Sequence, residues 1–305
     1  MSSALPALFG LVLLLAGVAM ALLRARHRRR AWRPRAMEAL ASCSSLIDML
    51  GALQQHRGLS TGWLAGDASF APRMHARRRE IDALMPALMR AAEHESDNIR
   101  PCFTVNDASL FRHRWRELVD GLADSLANPT PEQNIATHTR QIERLTGMIA
   151  ALGEARIELP GASDLPAGLA KNFAYRLPAL SECLGQARAI GSGAAAAGHC
   201  APVARVRLMF LVARAESLLR QAIEIDGGQA SGLLARRHVD RLSTMVRTGL
   251  LAGSRTGVSA EIYFETATDA IDSVFGWIQA SADALRQALI DDDSVRAGQG
   301  AFRPM

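Results

Sequence analysis

One arginine lies where the sequence predicts the buried face of a helix. Leu53, Leu50 and Leu46 precede Arg57 at steps of three or four residues. This periodicity is typical of a helical face packed in a core. A guanidinium stays charged at neutral pH, so a buried one requires an anion beside it. The sequence leaves two sources open. The anion is either a carboxylate of the protein, with Asp48 and Glu182 as candidates, or an anion that the protein binds.

The same arrangement occurs a second time, 131 residues further along the chain. Arg188 also follows leucines at helical spacing, and small residues come after both arginines, as RGLSTG and as RAIGSG. Small side chains let a second helix or a ligand approach closely. The repeat predicts two similar halves, each of which contributes one guanidinium to a shared site. Gln54 and Gln186 are further candidates as neutral donors there.

Helical periodicity covers nearly all of the chain after residue 36, and no strand alternation is found. Glycine and proline signals separate the helical stretches. The predicted helices lie near 37–65, 70–95, 105–127, 131–155, 172–197, 202–226, 229–251 and 258–290. The loop-rich segment 158–168 separates four of them from the other four, which predicts an all-α fold of two packed four-helix bundles.

The region 36–290 is therefore predicted as one helical domain with halves 36–157 and 170–290. Residues 291–305 combine an acidic run with glycine and polar residues. Such a composition buries too little apolar surface to fold alone, which predicts a disordered tail.

The N-terminus carries an uncharged apolar run of 20 residues, 4–23, which is long enough to span a bilayer as a helix. Seven arginines follow by residue 35, and positive charge gathers on the cytoplasmic side of a span. Residues 1–35 are therefore predicted to anchor the protein in the inner membrane, with the body in the cytoplasm. The alternative is a cleaved signal peptide with a periplasmic body, because AMA at 19–21 resembles a cleavage site.

Charge and motifs exclude several classes of protein. Beyond residue 35 the chain has 28 basic and 30 acidic residues, so its body is not a basic nucleic-acid binder. Four cysteines without a CxxC pair indicate neither a disulfide framework nor a zinc site. No HExxH, GxSxG, P-loop or dinucleotide-binding motif is found. The sequence therefore predicts no enzymatic activity, no metal and no cofactor.

The two arginine motifs resemble those of the nitrate- and nitrite-sensing (NIT) family, an all-α sensor module of bacteria. The family motif L-Q-x-E-R-G-x-S is here LQQHRGLS at 53–60, and G-Q-E-R-A is here GQARA at 185–189. The family's glutamate before each arginine is replaced by His56 and by Ala187. The resemblance extends over roughly residues 40–290.

This resemblance implies two four-helix bundles and an anion held by arginines of the inner helices. It transfers the ligand-binding role to Arg57 and Arg188, and Arg220 is one of several later arginines that are candidates to join them. His56 is expected at the surface or rim, with a pH-dependent response as the other interpretation.

The sequence thus predicts a membrane-anchored sensor of nitrate or nitrite that signals to a separate protein, because no output domain is recognised after residue 290. Homodimerisation through the bundles or the anchor stays open. The alternative is a helical scaffold at the membrane that has lost ligand binding. Arginines facing a shared cavity favour the sensor, and arginines paired with internal acids favour the scaffold.

Overall fold

The computed structural model describes residues 4–123, 129–157 and 168–300, and within these ranges it contains helices and no strand. The helices are α1 (Ala4–Leu64), α2 (Ala71–Ser96), α3 (Val105–Ala123), α4 (Pro131–Leu152), α5 (Leu169–Lys171), α6 (Leu177–Ala197), α7 (Pro202–Asp226), α8 (Ala230–Met245) and α9 (Ala260–Gly300). A 3-10 helix precedes α2, and π-helical segments follow α4, α5 and α8: Ala68–Phe70, Gly153–Ile157, Asn172–Arg176 and Val246–Leu250. The prediction of an all-α fold is confirmed for the described residues.

Local sequence signals place several helix ends. At the start of α4, the Thr130 hydroxyl accepts from the Gln133 N–H at 3.2 Å and the Gln133 side chain accepts from the Thr130 N–H at 2.9 Å. This reciprocal pair satisfies two backbone donors that the helix itself leaves free. At the far end of α6, Gly198 adopts a φ of 72°, a left-handed conformation that glycine enters without steric cost.

Helix α1 begins earlier than predicted. A helix beginning near 37 was predicted, but α1 runs unbroken from Ala4 to Leu64 with Pro34 inside it, and the anchor over residues 1–35 stays a prediction. The prediction rested on a change of composition, and arginine and alanine both favour helix, so nothing in residues 24–35 except the proline opposes continuation. The remaining helices begin and end close to the predicted positions, although α9 ends at Gly300 rather than near 290.

Two of the predicted segments are only partly described. The predicted tail at 291–305 begins within α9, and residues 301–305 lie outside the described part of the chain. In the predicted anchor, the described apolar side chains of Leu14, Val18 and Met20 are exposed. Among the side chains described, the stretch Trp32–Leu64 is long and apolar enough to cross a membrane, but 56% of its apolar window is buried against other helices. It is therefore a core helix of the body.

The helices of each half pack on one another. Helix α1 packs against α2 and α4, α6 packs against α7 and α9, and α8 packs against α9. Helix α1 also contacts α6 and α9, which joins the two halves. The division into two four-helix bundles stays a prediction.

A partly buried ion pair connects the end of α2 to the segment after α4. Arg156 donates from Nε and Nη2 to the two carboxylate oxygens of Glu95 at 2.8 and 2.7 Å. The backbone N–H of Cys102 donates to the same carboxylate at 2.8 Å. Burial by itself raises the pKa of Glu95, but the hydrogen bonds from Arg156 and Cys102 outweigh it and leave the pKa below its ordinary value.

We expect this pair to make stability depend on pH in acid. A carboxyl whose pKa is lower in the folded than in the unfolded state stabilises the fold above its unfolded pKa of about 4.3, and this contribution is lost as the pH falls through the folded pKa. Glu95→Gln should therefore lower the free energy of unfolding by about 1.5–3 kcal/mol at neutral pH. The difference from wild type should shrink below about pH 4.3, as measured by urea unfolding over a pH series. A difference that does not change with pH contradicts the assignment.

Candidate functional site

Arg57 is buried and bound to a carboxylate of the protein. Its exposed fraction is 2%, and its Nη1 and Nη2 donate to Oε1 and Oε2 of Glu182 at 2.6 and 3.1 Å. Nη1 also donates to the Thr139 hydroxyl at 3.1 Å. Glu182 lies on α6, so the pair joins the first half of the chain to the second. Of the two anions that the sequence left open for Arg57, the structure supplies the internal one.

The two glutamines of the motifs bind the same carboxylate. Gln54 Nε2 donates to Glu182 Oε2 at 3.1 Å, and Gln186 Nε2 donates to Oε1 at 2.8 Å from one turn along α6. Glycine at 185 leaves room for the guanidinium, because a Cβ there would lie 2.9 Å from Arg57 Nη2. Three of the five residues predicted for ligand binding therefore surround Glu182.

Arg188 faces a pocket and, in the described part of the chain, is not bound to a carboxylate. The pocket has a volume of about 360 Å³ and lies between α1, α2, α6 and α9. The guanidinium donates to the Thr268 hydroxyl at 3.1 Å and lies 5.1 Å from the centre of the Phe264 ring. Asp272, one turn further along α9, and Arg73 of α2 also line the pocket. Within the described residues Arg188 forms no ion pair.

The surroundings of Arg188 disfavour its charge. Burial is the largest cause and repulsion from Arg57 the second, and together they lower the pKa of Arg188 to about 10 in spite of Asp272 and Glu182. The group is thus still charged at neutral pH, and a bound anion would stabilise that charge. Arg188 Nη2 lies 3.8 Å from the position that a Cβ would take at Gly58, the residue after Arg57. The structure therefore brings the two motif arginines close together.

Arg220 lies elsewhere. It is exposed on α7, near Glu216, and it is not among the residues that line the pocket at Arg188. A larger surface pocket of about 460 Å³ between α3 and α4 contains three arginines, Arg114, Arg140 and Arg144, but no residue of the two motifs. A ligand-binding role for Arg220 stays a prediction.

His56 is buried, so its predicted place at the surface or rim is wrong. Its exposed fraction is 1%, and its Nδ1 lies 2.8 Å from His138 Nε2 on α4. His138 Nδ1 in turn lies 2.9 Å from the Asn134 carbonyl oxygen. Burial, followed by the charge of Arg78, lowers the pKa of His56 to about 4, and burial lowers the pKa of His138 as well. The pair is neutral at neutral pH and adds no charge beside Arg57.

Sequence reasoning missed the contacts that other helices supply. Phe264, Thr268 and Asp272 follow one another at four-residue spacing on α9, which places them on one helical face. That spacing was visible in the sequence, but nothing in it indicated that the face meets Arg188. Nothing in the sequence singled out His138 or Thr139 on α4 as a partner of the first motif.

Comparisons with known proteins identify the family of the chain. The family model described as nitrate and nitrite sensing matches residues 48–289. The solved structure of the NasR transcription antiterminator resembles this chain with a TM-score of 0.71 and 19% identity, over 89% of this chain and 74% of that one. At that identity the likeness shows the fold alone. Curated protein sequences give no match. Because the family match spans most of the chain and contains both arginine motifs, the chain belongs to the nitrate- and nitrite-sensing (NIT) family, as its motifs predicted.

Proposed function

We propose that the protein is a membrane-anchored sensor that binds nitrate or nitrite in the pocket at Arg188 and passes the signal to a partner protein. The observation that carries this proposal is the state of Arg188. In a chain of the NIT family, the second motif arginine is a charged and largely buried guanidinium that lines a pocket and has a hydroxyl, not a carboxylate, as its hydrogen-bond partner.

The chemistry of that guanidinium suits these ligands. Nitrate and nitrite are planar or bent oxyanions with a single negative charge, and a guanidinium presents N–H donors in a planar fork that can bind two oxygens at once. Phe264, Ile271 and Phe275 line the pocket beside Arg188, and such apolar surroundings strengthen a charge-assisted bond. Thr268 lies at hydrogen-bond distance from Arg188 and fixes its orientation.

The finer architecture belongs to the same proposal. Two four-helix bundles, 36–157 and 170–290, would meet at the Arg57–Arg188 region, and residues 4–23 would hold the body on the cytoplasmic face of the inner membrane. Exposed Leu14, Val18 and Met20 support the anchor, because exposed apolar side chains favour a lipid environment. The signalling partner would be a separate protein, and a homodimer is compatible with this arrangement.

Arg188→Ala is expected to weaken the binding of nitrate or nitrite about 10- to 150-fold, because charge-assisted hydrogen bonds contribute about 1.5–3 kcal/mol. Calorimetric titration of the full chain in lipid nanodiscs with sodium nitrate, nitrite and chloride measures this. Arg236→Ala is the matched control, since Arg236 is an exposed arginine of α8 beside Asp240. Unchanged affinity in Arg188→Ala contradicts the site, and the lack of a saturable signal with the wild type contradicts the sensor.

A second candidate function rests on Arg57. Its bidentate pair with Glu182 is what a scaffold that has lost ligand binding would show, because the guanidinium needs no further anion. The same titration separates the two candidates. A folded wild type that binds neither nitrate nor nitrite supports the scaffold, and saturable binding that depends on Arg188 supports the sensor.

A further inference from the structure

Glu182 sits at the centre of the donors that the two family motifs bring together. Its carboxylate accepts from Arg57 twice, at 2.6 and 3.1 Å, from Gln54 at 3.1 Å and from Gln186 at 2.8 Å. The residue is 8% exposed. All four bonds come from side chains whose sequence positions predicted contact with a bound anion.

A carboxylate has the same recognition chemistry as the proposed ligands. It is planar, carries one negative charge and offers two oxygens on one central atom, which a guanidinium binds through two parallel N–H bonds. Nitrite, and two of the three oxygens of nitrate, present the same pattern. Glu182 therefore fills a donor set that an oxyanion of this class could fill in its place.

The pair also changes the charge available to a ligand. With Glu182 bound, Arg57 is neutralised, and of the two motif arginines only Arg188 is without an ion pair among the described residues. Gln54 is shared by both environments, because it lines the pocket at Arg188 and donates to Glu182. An anion in that pocket is thus next to the donors that surround Glu182. The Glu182 carboxylate occupies the N–H donors of Arg57 that such an anion would otherwise bind.

We infer that Glu182 is a specificity-determining residue, a built-in competitor that occupies the oxyanion position at Arg57. This inference rests on the proposed function. An anion that enters at Arg188 reaches Arg57 only by displacing the Glu182 carboxylate. Oxyanions that can take over both guanidinium bonds are favoured over a spherical ion such as chloride, which cannot.

The first test is the affinity of Glu182→Gln for nitrite and nitrate. This variant keeps the shape of the side chain and removes its charge, so the competing charge-assisted bonds weaken and affinity should rise about tenfold or more. Asp272→Asn is the matched control, because it removes the same charge from the pocket wall at Arg188 and not from Arg57. It should raise affinity much less than Glu182→Gln. Calorimetry on the full chain in nanodiscs measures all three proteins.

The second test uses Glu182→Ala, which leaves the donors without a carboxylate. Sodium formate, nitrite and nitrate should raise its midpoint of thermal unfolding in a saturable way and by more than they raise that of the wild type, and chloride should do so less. Formate is informative because it is a free carboxylate of the kind removed. Glu182→Gln keeps the inference testable if Glu182→Ala does not fold.

The two proposals fail in different ways. If the wild type binds nitrate or nitrite but Glu182→Gln binds it no more tightly, or if Asp272→Asn has an equal effect, the inference is overturned and the sensor stands. If the wild type binds neither anion but Glu182→Gln does, or formate stabilises Glu182→Ala, the inference is upheld and the proposed function fails. If no variant responds to any of these anions, the inference is overturned.

Discussion

Arg57→Met is expected to lower the free energy of unfolding by about 3–5 kcal/mol, because it leaves a carboxylate buried without its counter-charge. Glu182 would keep two amide donors, Gln54 and Gln186, and would lose both guanidinium bonds. The desolvation of the Glu182 carboxylate is then no longer offset by the attraction of a guanidinium, which is why removing one partner of a buried pair is so destabilising. Urea unfolding at neutral pH measures the change.

The chain contains a pair of nearly the same geometry in a different environment. Arg247 donates to the two oxygens of Glu216 at 2.7 and 2.8 Å, but the side chains are 52% and 24% exposed. Arg247→Met is therefore expected to cost less than about 1 kcal/mol. The comparison separates burial from geometry, and equal costs for the two variants contradict the expected role of burial.

A double variant completes this test. Arg57→Met with Glu182→Leu replaces both charges by apolar groups, and such replacements of buried pairs are often neutral or stabilising. Most of the loss caused by Arg57→Met should therefore be recovered. A double variant that is as unstable as the single one would show that the guanidinium stabilises the fold through other contacts, such as its bond to Thr139.

The sequence predicted the burial of Arg57 but not its partner, and the reason is physical. Leucines at helical spacing establish which face of α1 is buried, and a buried guanidinium requires an anion. Glu182 was one of two candidate acids, 125 residues away. The choice between an internal acid and a bound anion depends on how the two halves pack, and local periodicity contains no information on that.

The helices were more predictable than the contacts between them. Breakers such as Gly198 and a capping box at Thr130 act within one turn of the chain, so the ends of α4 and α6 follow from local sequence. The buried contact of His56 with His138 and that of Arg188 with Thr268 join helices distant in sequence. The same limit explains why His56, in a motif position that is acidic in the family, was expected at the rim.

Gly191→Ala is expected to destabilise the fold by about 2–4 kcal/mol, through overpacking and a lost hydrogen bond. A Cβ at Gly191 would lie 2.1 Å from Cζ of Tyr263. Tyr263 is fully buried, and its hydroxyl donates to the Ala187 carbonyl at 2.8 Å. The ring therefore cannot make room without moving α6 away from α9 or giving up that bond. Thermal and urea unfolding measure the loss.

Gly193→Ala is the matched control, two residues along the same helix. Nothing lies within 4 Å of a Cβ at that position, so alanine should stabilise α6 by about 0.5–1 kcal/mol. The opposite signs test whether the contact with Tyr263, and not helix propensity, requires glycine at 191.

The same contact sets the distance between α6 and α9, on which the bond from Arg188 to Thr268 depends. Gly191→Ala should therefore weaken nitrate or nitrite binding where the protein remains folded, whereas Gly193→Ala should leave it unchanged. Equal binding by both variants would mean that the Arg188 pocket tolerates a shift of the two helices.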